Sequence, residues 1–297
     1  MERLCITRDR SSSKTMLYHF SVSGISICWD VPFEVNITNE SVPFQQFTKP
    51  EHTDIYVWIS PVTRLPRAPE EAVYEAGNYY TNGNVYYCDS PEGLPYAHLR
   101  IDPDGSVVQL TYVREYESRF TSSQIILNHL SMEALLLKKH VLLLHSSFIR
   151  LKNGCGILFS APSGTGKSTQ ADLWKKYRGA DIINGDRAGL RKVADRWTAW
   201  GLIYAGTSGI YRNESASIGS IVVLKQAKKN SLRRLRCSEA IYSLYPEVTV
   251  HRWEKGSVDC TMDLLIDLIS SVPVFMLECR PDEEAVSVLE RALKETL

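Results

Sequence analysis

GILFSAPSGTGKSTQADLW, residues 156–174, decides how the rest of the chain is read. Ile157–Phe159 is a short apolar run that reads as a strand. It leads into Ala161, Pro162, Ser163, Gly164, Thr165, Gly166, Lys167 and Ser168, and a helix is predicted to open at about Lys167 and to close near Gly179. Strand, glycine-rich loop and helix in that order are what a phosphate-binding P-loop requires. The residue types follow from the task. Successive backbone N–H groups must turn inward around phosphate oxygens, and Gly164 and Gly166 permit the unusual dihedrals and the close approach. The helix N-terminus adds unsatisfied donors and the positive end of its dipole. Lys167 supplies a mobile charge for the outer phosphates, and the Ser168 hydroxyl is placed for Mg²⁺. With Thr169, residues 161–169 form the candidate nucleotide-binding loop. Ala161 stands where such loops usually carry their first glycine, the smallest departure available.

A P-loop needs a carboxylate at the end of a neighbouring strand, to hold metal or to take a proton from the acceptor. In ADIINGDRAGL, Asp186 follows the predicted strand ADIIN and is the candidate for both roles, while Asp181 would stand at the strand's other end. Arg187 and Arg212 are candidate clamps for phosphate or an acidic acceptor group, because a guanidinium matches such oxygens bidentately.

Outward from the loop, two regions separate near residue 120. Residues 1–120 read as a β-rich domain. DIYVWIS is rich in β-formers, and NYYTNGNVYYC carries Asn82-Gly83 between tyrosine-rich arms. LRIDPDGSVVQLTYV turns on Asp102-Pro103-Asp104-Gly105. The expectation is a sheet of antiparallel hairpins, with substrate recognition as its role. Residues 121–297 read as α/β. SSQIILNHLSMEALLLKKH (residues 122–140) is predicted helical, VLLLHSSFIRL and CGILFSA pair about Lys152-Asn153-Gly154, and strands and helices then alternate. IGSIVVLKQ and VPVFMLEC are further strands, and PDEEAVSVLERALKE is a closing amphipathic helix.

From about His129 onward, LLLHSSFIRLKNGCGILFSAPSGTGKSTQADL and IINGDRAGL resemble the C-terminal domain family of HPr kinase/phosphorylase, P-loop kinases related to ATP-dependent phosphoenolpyruvate carboxykinase. The resemblance implies a mixed-sheet kinase domain using ATP and Mg²⁺. Lys167 and Ser168 match the family's P-loop lysine and metal-binding hydroxyl. His145 stands at the family's histidine on the preceding strand, with a role at the acceptor or γ-phosphate. The family's paired aspartates are represented by Asp186 alone, preceded by Gly185. YAGTSGIYRNESASIGSIVVLKQ and VPVFMLECRPDEEAV resemble the branch acting on peptide natural-product precursors, which implies a Ser/Thr or terminal hydroxyl of a peptide or small protein as acceptor. A branch acting on free serine makes a small-molecule acceptor the alternative, and the missing aspartate keeps a nucleotide-sensing protein with little turnover as a third reading. Oligomers are common in the family, so self-assembly is expected without a number.

Composition bounds the rest. The chain has 297 residues, 44% hydrophobic and 23% charged, enough to bury a core without disulfide or metal staples. Lysine and arginine (34) balance aspartate and glutamate (34), so overall charge gives no case for nucleic acid or membrane as partner. The seven cysteines form no CxxC pair and are expected to be mostly buried thiols. The start MERLCITRDRSSSK is polar, so a cytoplasmic protein is expected. KQAKKNSLRRLR (residues 225–236) reads first as a solvated edge, and alternatively as a platform for an acidic partner.

Overall fold

The computed structural model describes residues 15–204 and 206–296; the polar start and Cys5 lie outside the described residues. The first sheet takes β1 (Met16–Val22), β2 (Ile25–Val31), β3 (Gln45–Gln46), β4 (Ile55–Val62), β5 (Val73–Glu75), β6 (Asn78–Thr81), β7 (Asn84–Cys88), β8 (Pro95–Ile101) and β9 (Val107–Val113). Their order is β3-β1-β2-β4-β9-β8-β7-β6-β5. Both predicted turns form, joining β6 to β7 and β8 to β9 as antiparallel pairs. The purely antiparallel expectation fails at β4, which runs parallel to both β2 and β9. Alternate residues of β4 (Ile55, Val57, Ile59) and β8 (Ala97, Leu99, Ile101) are buried, the period of a sheet with one covered face.

That cover is helical. The helix expected over residues 122–140 is two helices, α1 (Ser123–Asn128) and α2 (Met132–Lys138), broken at a left-handed Ser131 with φ 46°. Side chains from the sheet fix the break. The Tyr87 hydroxyl donates to the His129 carbonyl at 2.9 Å, and Tyr96 bonds the His129 ring at 3.0 Å. These contacts hold His129 in place and outweigh helix propensity. Ile126, Leu130, Met132 and Leu135 then enter the first core together with Trp29 and Phe120. This core therefore draws on chain from both sides of residue 120.

The second sheet comprises β10 (Leu142–Arg150), β11 (Gly156–Ser160), β12 (Asp181–Asn184), β13 (Arg187–Val193), β14 (Arg196–Gly201), β15 (Ser215–Gln226), β16 (Ser231–Arg234) and β17 (Val274–Cys279). β15 runs parallel to β11 on one side and to β17 on the other, and the remaining pairings are antiparallel. The parallel strands are covered on both faces, which explains their unbroken apolar runs. α3 (Lys167–Arg178) and α6 (Glu283–Thr296) cover one face, burying Trp174 and Leu289 against Ile157 and Phe159. α4 (Cys237–Leu244) and α5 (Ser257–Ser271) cover the other, burying Leu244 and Leu265 in the core that holds Leu158 and Ile221. Each of these large side chains contributes roughly 1.5–3 kcal/mol of burial.

β13 and β14 form a hairpin that the reading of alternating strands and helices did not include; Ala194 and Asp195 make its two-residue turn at φ 45° and 63°, without the glycine that advertises such turns. The basic run is the end of β15 plus the edge strand β16, with Lys225 on Glu278 and Arg233 on Glu239, in keeping with a solvated edge. Of the six described cysteines only Cys28 is buried; Cys237 is exposed and the others are half-buried. No helix among the described residues is long and apolar enough to cross a membrane.

Candidate active site

β10 and the two-residue link between β12 and β13, Gly185 and Asp186, build the site. β10 pairs with β13 along Leu142–His145 and with β12 along Phe148–Arg150, so Gly185 and Asp186 bulge out between the two pairings. Buried Asn184 holds this bulge: its Oδ1 accepts the N–H groups of Asp186 (2.8 Å) and Arg187 (3.0 Å). Its Nδ2 donates to the carbonyls of Leu202 (2.8 Å) and Tyr204 (3.0 Å), tying the bulge to the chain after β14. The Asp186 carbonyl accepts from Ser146 N–H at 2.9 Å.

The carboxylate of Asp186 is thereby set beside His145, Oδ1 to Nε2 at 3.7 Å. The imidazole's other nitrogen, Nδ1, lies 2.8 Å from Glu247, which is 10% exposed and arrives from the turn after α4. A bridge of Leu144 to Val248 and the bond from Thr249 N–H to the Leu143 carbonyl (3.0 Å) dock that turn on the edge of β10. Arg187 lies 3.6 Å from Asp186, donates to Thr249 at 3.0 Å, and sits over the Tyr204 ring at 5.7 Å. Burial first, and then the charge of Glu133, hold the Tyr204 phenol well above its ordinary pKa.

The P-loop takes the form its residues dictate. Gly164 and Gly166 have φ of 78° and 117°, which L side chains rarely adopt; a Cβ at either would meet nothing within 4 Å, so dihedral freedom rather than space demands glycine there. Ala161 shows no positive φ, and its methyl is buried in the core under the loop, so the departure from glycine is accommodated. Pro162, Ser163 and Gly164 are exposed, Thr165 and Gly166 half-buried, and Ser168 and Thr169 exposed on the first turn of α3. Lys167 is 8% exposed, its ammonium folded back on the carbonyls of Ala161 (2.7 Å) and Pro162 (3.5 Å). Burial pushes its pKa down, against the opposing pull of Glu247 and Asp186.

Lys167, Asp186, His145 and Arg187 are thus brought together, and Arg212 is not. The chain after Gly209 runs antiparallel along β12, with Arg212 N–H on the Ile183 carbonyl, toward the strand's start. The Arg212 guanidinium there faces Glu214 at 3.8 Å, beside the Arg150–Asp181 pair. The second aspartate of the resembled family has no room: a Cβ at Gly185 would stand 2.1 Å from Ser208 Oγ. Glu247, unmarked by any local motif, brings a second carboxylate to the site instead.

One cleft lies over the bulge and another against the loop. The first, of about 590 Å³, opens over Asp186 and Arg187 and is closed by Thr38 and Glu40 of the first unit and by Glu133 of α2. The other, about 410 Å³, lies against Gly164, Thr169 and the ends of β15 and β17. Among the described residues no three His, Cys, Asp or Glu side chains cluster as a metal cage. Mg²⁺ needs none, since it is commonly held by one or two carboxylates together with substrate phosphates. Exposed Ser168 and the Asp186 carboxylate are a donor set of that kind.

Fold and site together define a mixed α/β domain with a P-loop facing a bulge-borne carboxylate. A solved structure described as the Hpr(Ser) kinase/phosphatase from Coxiella burnetii is similar to 52% of this chain and 97% of its own, at 9% identity and a TM-score of 0.32. A likeness of that size carries no argument about this chain. No family model and no curated protein matches the chain in sequence.

Proposed function

We propose that this protein is an ATP-dependent kinase that transfers the γ-phosphate to a hydroxyl group. One observation carries the reading: Ser160, which leads into the P-loop, donates to the His145 carbonyl at 3.0 Å, and the His145 imidazole stands 3.7 Å from the Asp186 carboxylate, so loop and carboxylate meet at one end of the sheet. The loop N–H groups and Lys167 hold the outer phosphates and draw charge from the transferred group. Ser168 and Asp186 are the residues that would hold Mg²⁺, which when bound neutralises phosphate charge. Asp186 orients the acceptor hydroxyl and accepts its proton as the new O–P bond forms and the bond to the departing diphosphate breaks. His145, held by Glu247, fixes the position of Asp186.

The acceptor enters through the cleft over Asp186. Its carboxylates, Glu40, Glu133 and Asp186, are opposed by Arg187 alone, which disfavours a polyanionic acceptor such as nucleic acid. We take the acceptor to be a hydroxyl of a peptide or small protein, presented by a narrow segment of chain. Incubation with γ-labelled ATP, Mg²⁺ and a cell lysate tests the proposal. Label on a peptide or protein, lost in Asp186→Asn, supports it. Label on a small metabolite keeps the kinase and changes the acceptor class. Bound ATP with nothing labelled overturns the kinase reading.

A further inference from the structure

β16 (Ser231–Arg234) is the outermost strand of the second sheet and pairs with β17 alone. Its register sets Leu232 opposite Leu277 and Arg234 opposite Phe275, and the next residue, Leu235, donates its N–H to the Val274 carbonyl at 2.8 Å. Antiparallel pairs alternate between bonded and non-bonded residues. The N–H and carbonyl groups of Leu232 and Arg234 therefore turn away from β17, and among the described residues no other strand meets them. Lys225, Arg233 and Arg236 of the same basic run are engaged with Glu278 and Glu239. Lys228, Lys229 and Arg234 are exposed and form no ion pair among the described residues. β16 is thus an open edge with uncompensated positive charge on it and at the turn that leads into it.

We infer that this edge docks an acidic, extended segment of the acceptor as an added strand. The inference rests on the reading of the acceptor as a peptide or small protein. Main-chain bonds to Leu232 and Arg234 attach the segment, and its carboxylates against the free cations select it. A short basic edge resists ordinary strands, because its cations lose water and gain no partner; an acidic strand supplies the partner. Nucleic acid fits less well, since Glu239 and Glu278 stand among the cations and a phosphodiester backbone cannot continue a strand ladder. The turn at residues 227–230 joins β15 to β16 at the P-loop end of the sheet, where Gln226 Nε2 reaches the carbonyls of Gly164 (3.4 Å) and Thr165 (3.3 Å). From β16 across β17, β15 and β11 to β10 is four strand spacings, about 19 Å. At about 3.3 Å per residue, the reacting hydroxyl stands about six residues or more from the docked segment. The carboxylates of the cleft over Asp186 repel that segment, so recognition is held apart from the chemistry.

Fluorescence anisotropy with the full chain tests the dock, using as probes an alternating Glu-Val peptide, its Lys-Val counterpart, and a Glu-Pro repeat that keeps the charge and cannot pair as a strand. The Glu-Val peptide is expected to bind about tenfold tighter than either of the others. It should bind about tenfold more weakly to the combined Lys228→Gln, Lys229→Gln and Arg234→Gln variant, whose Tm stays that of the parent. Equal affinity for the Glu-Val and Glu-Pro peptides, or for an oligothymidylate of the same charge, makes the edge a general anion surface and overturns the inference. Undiminished binding by the combined variant overturns it as well. A Glu-Val peptide with a serine about six residues beyond each end separates this inference from the kinase reading. Binding without label from γ-labelled ATP leaves the dock standing and overturns the peptide acceptor. Label on serine with no preference for the acidic segment overturns the dock and leaves the kinase standing.

Discussion

Replacing Lys167 by methionine separates what the site needs from what the fold needs, because the two respond with opposite signs. In the unliganded protein the ammonium is buried and rests on neutral carbonyl oxygens of its own loop, Ala161 at 2.7 Å and Pro162 at 3.5 Å. Burial is the largest influence on its pKa and lowers it, so the charged form is held at a cost to the fold. Methionine keeps the apolar stem and removes the charge. Stability is therefore expected to stay level or to rise by up to about 1 kcal/mol, a shift in Tm of about 2 °C for a chain of this size. Phosphate binding moves the other way. The ammonium exchanges neutral carbonyl oxygens for anionic phosphate oxygens, which adds charge on the acceptor to the charge already on the donor. One hydrogen bond between two charged groups, at the upper end of what such bonds contribute, comes to about 3 kcal/mol, or roughly 100-fold in Kd. Titration calorimetry with Mg²⁺-ATP beside thermal melts of both proteins measures the two effects. A Kd within threefold of the parent, or a Tm lowered by 5 °C or more, refutes the placement of Lys167 as a strained but available phosphate ligand.

Three further outcomes follow from the same geometry. Glu247→Gln, which keeps the shape beside His145 and removes the charge, should lower phosphotransfer at least tenfold with ATP affinity within threefold; unchanged turnover in the labelling assay would show that Glu247 is a packing residue. Gly185→Asp restores the paired carboxylates of the resembled family but drives a Cβ onto Ser208, and urea midpoints should show about 1–3 kcal/mol lost, recovered in part by adding Ser208→Gly; an undisturbed midpoint refutes the steric account. The imidazoles of His19, His98, His129 and His251 are all pushed down by burial, His98 to about 4. Their unfolded forms take a proton near pH 6.5 while the folded ones do not, so stability is full above that pH and is lost as pH falls toward 4. His98 alone should contribute about 2 kcal/mol of that loss after allowance for its partial exposure, and His98→Gln should flatten the pH dependence of the urea midpoint; an identical slope in both proteins would sink the assignment.

What could be read from the residues was whatever is encoded within one turn of chain. The loop from Ala161 to Ser168, the helix closing at Gly179, and the hairpins at Asn82-Gly83 and Asp104-Gly105 are set by local dihedral demands, and each formed where expected. The parallel placement of β4, the break at Ser131 and the glycine-free turn at Ala194-Asp195 depend on partners elsewhere or on strain that composition does not announce. The site divides in the same way. Asp186 was legible because it follows a strand, whereas Arg212, judged by its loop composition, is turned away by pairing of its own backbone with β12. Glu247 was illegible: it stands 102 residues from His145, and only the docking of the turn after α4 on the edge of β10 brings its carboxylate in. Gly185 and Glu247 are then two halves of one fact. Where the resembled family carries adjacent aspartates, packing of Ser208 against the bulge leaves room for none at residue 185, and the second carboxylate arrives through the histidine instead. Both carboxylates then meet the same imidazole, Glu247 at Nδ1 and Asp186 at Nε2. It follows that an aspartate at residue 185 would add a third carboxylate to Asp186 and Glu247, a cost in charge on top of the clash with Ser208.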